Sequence, residues 1–179
     1  MQGAVFRFSQ GFEAGVNRLA WGPDGALYVG EVGMVGGWSW QGKQFGLERM
    51  VYNGKTTFEM LAIRAQPQGF EIEFTEPLAA ETKIRPADFI IQQWWYQPTA
   101  SYGGPKMDLE TMNITQFSLS EDRTRLYLEL PSLVEERVVY FRLPEDLQSA
   151  SGQSLWSSEA WYTLNQIPAA NTTLSHVSP

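Results

Sequence analysis

The sequence predicts an all-β fold, and three observations lead to that prediction. Apolar and polar residues alternate with a period of two, as in Phe70-Glu71-Ile72-Glu73-Phe74, where the three apolar residues share one face. Short candidate strands recur about every 8–12 residues with turn signals between them, which is typical of a sandwich or barrel. Helical patterns are scarce, since only Pro144 to Gln148 has the composition of a single helical turn.

Each candidate strand follows from its own pattern. Two strands flank the turn signal Gly22-Pro23-Asp24-Gly25. Two more flank Asn53-Gly54, and we expect these two residues to close a β-hairpin because both tolerate positive φ. The predicted strands are 16–21, 26–29, 47–52, 56–64, 70–74, 89–96, 112–119, 125–130, 138–143 and 160–164.

The composition of the chain changes near residue 56. Residues 22–46 are glycine-rich, whereas residues 56–165 carry about seven strands, the number of an immunoglobulin-like sandwich. We therefore expect a β-hairpin with a Gly-rich arm over 1–55 and an Ig-like β-sandwich over 56–168. The small, polar residues 169–179 predict a flexible tail.

Charge and composition exclude several classes of function. Thirteen Lys and Arg against 20 Asp and Glu give a net charge of −7, which argues against nucleic acid and anionic membranes as partners. Without cysteine the chain has no disulfide, thiolate metal site or cysteine nucleophile, and its one histidine, His176, lies in the tail. We predict no catalytic residue and no metal site. Residues 1–7 lack the features of a signal peptide.

The aromatic residues are the strongest candidates for a binding site. Trp94, Trp95 and Tyr96 are consecutive, so alternation along a strand sends Trp94 and Tyr96 to one face and Trp95 to the other. Since only one face of a sandwich strand is core, the opposite face carries at least one large ring. The following loop adds Tyr102, and the Gly-rich arm adds Trp38 and Trp40.

Three interpretations of these rings remain open. The arm with Trp38 and Trp40 covers the aromatic face, or the rings form an interface with a partner domain, or they stack on a sugar. The candidate binding residues are Trp38, Trp40, Trp94, Trp95, Tyr96 and Tyr102.

Two parts of the sequence resemble a known family. The segment from Val16 to Gly30, with its Gly22-Pro23-Asp24-Gly25 turn, resembles the strand-turn-strand of a propeller blade in PQQ-dependent glucose/sorbosone dehydrogenase-like proteins. The stretches Gly46-Leu47-Glu48-Arg49 and Trp161 to Pro168 resemble the C-terminal extension of large secreted bacterial proteins of that group. Residues 70–165 also resemble bacterial Ig-like domains.

The resemblance implies a sandwich preceded by a propeller-blade-like hairpin, located extracellularly or in the periplasm. PQQ and calcium belong to the complete propeller of the family, and this chain has residues for about one blade, so the resemblance assigns it no cofactor. We expect a non-catalytic accessory or interaction module, with the parent propeller domain or a second copy of itself as partner. The alternative is a carbohydrate-binding module that uses exposed Trp and Tyr side chains, and a stand-alone enzyme is the least expected.

Overall fold

The structure, a computed structural model, describes residues 1–33, 38–101 and 103–170. Within these ranges the chain forms antiparallel strands and one short 3-10 helix, Pro86–Asp88. The prediction of an all-β sandwich is confirmed. The strands are β1 (Gly3–Phe6), β2 (Val16–Trp21), β3 (Leu27–Val32), β4 (Phe45–Met50), β5 (Met60–Gln66), β6 (Gly69–Phe74), β7 (Ile90–Tyr96), β8 (Lys106–Met112), β9 (Gln116–Leu119), β10 (Arg125–Glu129), β11 (Arg137–Arg142) and β12 (Glu159–Leu164).

The chain divides into two compact units. One unit, the sandwich, consists of residues 1–7 together with the chain from Thr56 onward, and the other, the small sheet unit, consists of residues 8–55. Residues 1–7 were expected in the N-terminal arm, but the structure pairs β1 with β12, from Gly3 opposite Thr163 to Phe6 opposite Ala160. The reason is burial, because the side chains of Ala4 and Phe6 pack against the sandwich core.

The sandwich contains a five-stranded sheet and a four-stranded sheet. The strand orders are β1-β12-β11-β7-β8 and β5-β6-β10-β9. Alternate residues of both sheets point into one shared core, as in β6, where Phe70, Ile72 and Phe74 are buried as predicted. The core therefore follows directly from the period of two.

The ring of Phe70 joins the two sheets. Its centroid lies 5.0 Å from the ring of Phe141 on β11 and 5.0 Å from the ring of Tyr162 on β12. Both pairs are edge-to-face, an arrangement that adds to the free energy gained by burial. The preceding residue must be glycine, because a Cβ on Gly69 would lie 1.9 Å from the carbonyl oxygen of Leu128 on β10.

The predicted hairpin at Asn53-Gly54 is wrong. The strands on either side, β4 and β5, lie in different sheets, and β5 pairs with β6 instead. The local turn is nonetheless present, since Gly54 has a φ of 77° and the side-chain oxygen of Asn53 accepts a hydrogen bond of 2.9 Å from the N–H of Lys55. The dipeptide thus specifies a bend, whereas the pairing of the strands is decided by burial elsewhere.

The predicted strand 112–119 is two strands in two different sheets, β8 and β9. Most of β8 lies outside the predicted strand because its alternation is interrupted at Asp108, which has a φ of 49° where the pairing with β7 shifts register. The sandwich consequently has one strand more after residue 56 than the expected number of about seven. Residues 144–148 contain a turn and no helix.

The small sheet unit is a three-stranded antiparallel sheet in the order β2-β3-β4. The predicted turn Gly22-Pro23-Asp24-Gly25 connects β2 and β3, with the N–H of Gly25 bonded to the carbonyl of Gly22 at 3.0 Å. Gly25 has a φ of 75°, which explains the glycine there. Asp24 accepts hydrogen bonds from the N–H of Ala26, from Tyr28 on β3 and from Arg49 on β4.

Replacing Phe70 by alanine tests the central contact between the sheets. We expect Phe70→Ala to lower the free energy of unfolding by about 3–5 kcal/mol, because it removes a fully buried ring and leaves a cavity. Urea unfolding followed by fluorescence measures the loss. The control is Phe117→Ala on the same sheet, where the ring is exposed and the loss should be about 0.5 kcal/mol or less. Equal losses of unfolding free energy in the two variants would contradict the role of Phe70 as the central contact between the sheets.

Gly54→Val tests the positive φ at the bend. We expect a loss of stability of about 1 kcal/mol or more, because a β-branched residue is strained in this region. A Cβ at Gly54 would meet no atom within 4 Å, so the effect reports backbone strain alone. The thermal unfolding midpoint is the measurement, and Gly3→Val, at a strand position with equal space and no positive φ, is the control. An unchanged midpoint for Gly54→Val would rule the strain out.

Candidate functional site

A row of four aromatic side chains crosses the outer face of the five-stranded sheet. It consists of Trp161 on β12, Tyr140 on β11, and Trp94 and Tyr96 on β7, and we call it the aromatic strip. Its residues point outward because their strand neighbours, such as Phe141 and Tyr162, point into the core. The register confirms this, since Tyr140 lies opposite Trp161 on the neighbouring strand.

The rings of the aromatic strip form a continuous series of contacts. The centroids of Trp161 and Tyr140 are 5.4 Å apart, those of Tyr140 and Trp94 are 6.3 Å apart, and those of Trp94 and Tyr96 are 6.0 Å apart. The angles between neighbouring ring planes are 41°, 45° and 87° in the same order. The strip is therefore contiguous across three strands, although it is not flat.

The accessibility of the rings differs along the strip. Trp161 is 39% exposed and Tyr96 is 47% exposed, whereas Trp94 is fully buried. The ammonium group of Lys106 lies 3.8 Å from the centroid of Trp94, a cation–π contact that helps to cover this ring. The indole N–H of Trp94 has no hydrogen-bond partner among the described residues. The strip thus presents two accessible rings, Trp161 and Tyr96, and the rings of Tyr140 and Trp94 lie between them.

The charged groups beside the aromatic strip have partners among neighbouring residues. The hydroxyl of Tyr140 donates a hydrogen bond of 2.5 Å to Oε1 of Glu159, and Arg142 forms an ion pair of 2.9 Å with Glu145. Burial, together with the hydrogen bond to Glu159, raises the pKa of Tyr140 to about 12. The phenol is therefore neutral, and its orientation is fixed by the carboxylate.

Trp95 does not belong to the aromatic strip. By alternation it points to the opposite face of β7, where its indole N–H donates a hydrogen bond of 2.7 Å to Asp108. Asp108 also lies 3.3 Å from the guanidinium of Arg137. The predicted separation of Trp95 from Trp94 and Tyr96 is thus confirmed, and Trp95 serves to fasten β7 to the bulge in β8.

Trp38 and Trp40 belong to the small sheet unit, where both are exposed. They line an open groove of about 680 Å³. A Cβ on Gly15 would lie 2.6 Å from the Cβ of Trp38, so glycine is required for this close approach. The other residues that line the groove are Gln10, Gly11, Phe12, Ala14, Gly15 and Ser39. Tyr102 and His176 lie outside the described residues.

One acid of the small sheet unit is buried. Oε2 of Glu31 accepts a hydrogen bond of 2.6 Å from the N–H of Ala14, whereas its Oε1 is buried without a partner among the described residues. Burial, with the neighbouring charge of Glu31, raises the pKa of Glu48. In the part of the chain that the structure describes, no group of three or more acids, histidines or cysteines has the arrangement of a metal site.

Two residues of the aromatic strip, Trp94 and Tyr96, are among the candidates predicted from the sequence, whereas Tyr140 and Trp161 are not. The signal that finds the missing pair is position parity. In the predicted strands 138–143 and 160–164 these two rings occupy the positions between core residues. Single aromatic residues in strands are usually assigned to the core, so only the register across strands reveals that the four rings are neighbours.

Comparison with known proteins identifies no family. No family profile and no curated protein matches the chain. Two solved structures resemble part of it, each with a TM-score of 0.45: a crystal structure of the S-layer protein rSbsC, at 19% identity, and a structure of domains 1–6 of the surface layer protein SbsC, at 18% identity. The matches cover 64% and 66% of this chain and 15% of each of those chains.

None of the helices in the described ranges has the length and hydrophobicity needed to cross a bilayer.

The raised pKa of Tyr140 predicts a pH dependence of stability. A tyrosine whose pKa is higher in the folded than in the unfolded protein contributes fully to stability at pH values below its unfolded pKa, here about 10. This contribution is lost as the pH rises through the folded pKa of about 12. We expect Tyr140→Phe to remove this part of the dependence. The measurement is the free energy of unfolding in urea between about pH 9 and 12, compared with the native chain. If the free energy of unfolding changes with pH in the same way for both proteins, the raised pKa of Tyr140 is contradicted.

Proposed function

We propose that the chain is a non-catalytic interaction module in which the small sheet unit is an incomplete propeller blade that docks against a propeller domain. In this proposal the chain corresponds to the C-terminal part of a secreted quinoprotein sugar dehydrogenase-like protein, located outside the cell or in the periplasm. The observation that carries the proposal is the exposure of large apolar side chains on both faces of the sheet β2-β3-β4.

The exposed side chains are distributed over both faces by the strand register. Leu19 and Trp21 lie opposite Val29 and Leu27 of β3 and share one face with them. Leu47 lies opposite Gly30, on the other face. Val29 is fully buried, whereas Leu19, Trp21 and Leu47 are exposed. Neighbouring blades cover both faces of a blade within a propeller. The surface therefore supports docking between sheets.

The topology of the small sheet unit supports the same proposal. Its strands are consecutive and antiparallel, as in a propeller blade, but a blade has four strands and this sheet has three. All six residues of the edge strand β2 are exposed. An uncovered edge offers its backbone N–H and C=O groups to a further strand, which a partner domain would supply.

The residues that carry the resemblance to PQQ-dependent dehydrogenase-like proteins stabilise the turn between β2 and β3. Asp24 lies 2.6 Å from the guanidinium of Arg49, which holds the pKa of Asp24 below its usual value. A Cβ on Gly22 would lie 2.4 Å from the ring of Tyr28, so a larger residue there would have to displace this ring. These contacts support a preformed sheet that docks without rearrangement.

The remaining unit supports an accessory role. The sheet β5-β6-β10-β9 follows the order A-B-E-D of an immunoglobulin-like sandwich, and β12-β11-β7-β8 follows the order G-F-C with an added C′ strand. We therefore propose an Ig-like sandwich. We assign the chain no cofactor of its own, because PQQ and calcium in the family belong to a complete propeller.

The proposal is tested with two probes: a propeller domain of this family that lacks its last blade, and a second copy of the chain. We expect a complex with the truncated propeller in sedimentation velocity experiments, and Leu19→Lys should abolish it, because it places a charge in the apolar face. The control is Leu61→Lys on β5, since Leu19 is 59% exposed and Leu61 is 56% exposed.

The outcomes separate the possible partners. The proposal is supported if the Leu61→Lys variant still binds the truncated propeller and the Leu19→Lys variant does not. Association with the second copy alone, with the same sensitivity, would replace the propeller by a homodimer. Absence of association with either probe at high micromolar concentration would refute the docking role.

A further inference from the structure

We propose that the aromatic strip is a binding site for single, soluble chains of neutral saccharide. This role goes beyond the docking function proposed above and involves the other unit of the chain. The inference rests on the arrangement of Trp161, Tyr140, Trp94 and Tyr96 on the outer face of the five-stranded sheet and on the polar groups between them.

The accessible rings fit the apolar face of a pyranose. A pyranose presents C–H groups on its faces and hydroxyl groups at its rim, so it needs aromatic rings beside hydrogen-bonding groups. Trp161 and Tyr96 are partly exposed rings at the two ends of the strip, and their contacts with Tyr140 and Trp94 fix their positions. Rings that are already fixed lose little conformational entropy when they bind a ligand.

Polar side chains lie on the same face of the sheet as the rings. Gln92 lies opposite both Tyr140 and Thr111, and its amide is 3.4 Å from the Thr111 hydroxyl, a long contact that leaves both groups able to bond a ligand hydroxyl. Glu159 and Arg142 lie beside the strip. Charged groups are depleted from the centres of protein interfaces, so this mixture favours a hydroxylated ligand over a protein.

The pairing of the charges indicates a neutral ligand. Lys106 lies over Trp94, Arg142 pairs with Glu145, and Glu159 accepts the hydrogen bond of Tyr140. An anionic saccharide would have to compete with Glu145 for Arg142 and with the ring of Trp94 for Lys106. A neutral saccharide leaves all three contacts intact.

The shape of the strip indicates a single chain. Neighbouring rings are inclined by 41° to 87°, so they do not provide the flat platform that the surface of a crystalline polysaccharide requires. From β12 to β7 the strip crosses two strand spacings, about 10 Å, which matches a short oligosaccharide. We therefore expect binding of soluble oligosaccharides and no binding of crystalline cellulose or chitin.

The test is a titration of the full chain with neutral hexasaccharides of glucose, xylose, mannose and N-acetylglucosamine, followed by calorimetry and tryptophan fluorescence. We expect at least one of them to bind and to change the fluorescence. Trp161→Ala should weaken that binding about tenfold or more, and Tyr96→Ala should weaken it as well. The matched control is Trp156→Ala, because Trp156 is 41% exposed and lies outside the strip, on the connection between β11 and β12.

A second variant guards against a loss of folding. Trp161→Leu keeps an apolar side chain against Tyr140 but removes the flat ring, so it should retain the unfolding midpoint and still lose binding. Failure of all four hexasaccharides to bind at millimolar concentration would overturn the inference. Equal loss with Trp156→Ala, or binding restricted to crystalline polysaccharide, would overturn it too.

A protein interface is the competing outcome, and the same variants detect it. If Trp161→Ala changes the sedimentation of the chain with the truncated propeller or with a second copy and saccharide binding is absent, the strip is a protein contact and the inference fails. The docking role is judged separately by Leu19→Lys, which lies in the other unit. Either proposal can therefore fail without the other.

Discussion

The sandwich depends on the contact of one ring, Phe70, with Phe141 and Tyr162 of the opposite sheet. Because neighbouring residues in a strand point to opposite faces, burying Phe141 and Tyr162 turns Tyr140 and Trp161 outward. The same alternation therefore creates both the core and the aromatic strip. A slip of one residue in β11 or β12 would exchange the two sets and expose the core residues, so the register that forms the strip is fixed by the burial of the core.

The aromatic strip itself is stabilised by local contacts. Trp94 is fully buried although it lies outside the sandwich core, and Lys106 covers its ring. Tyr140 is held by Glu159, whose carboxylate also favours the neutral phenol. These contacts reduce the apolar surface left in water while leaving the two end rings, Trp161 and Tyr96, accessible. Such an arrangement gives a surface with few exposed rings, as the proposed saccharide binding requires.

The sequence specifies the faces of strands and the local turns, and it leaves their partners undetermined. Alternation predicted that Phe70 is buried and that Trp95 is separated from Trp94 and Tyr96, because both depend only on neighbouring residues. The hairpin at Asn53-Gly54 failed because pairing is decided by distant burial. Likewise β1 pairs with β12 at the other end of the chain. The strip was only half predicted for the same reason, since Tyr140 and Trp161 become its neighbours through the register of strands that are distant in sequence.

The small sheet unit differs from the sandwich, because the polar side chain of Asp24 connects its strands. Asp24 bonds the turn, β3 and β4 through Ala26, Tyr28 and Arg49, and it does so at the surface. A sheet of three strands has too few residues to bury all of its apolar side chains by itself. The Asp24 contacts order the strands, while Leu19 and Trp21 on one face and Leu47 on the other remain exposed. This combination, with polar contacts that order the strands and exposed apolar side chains on both faces, is what the proposed docking role requires.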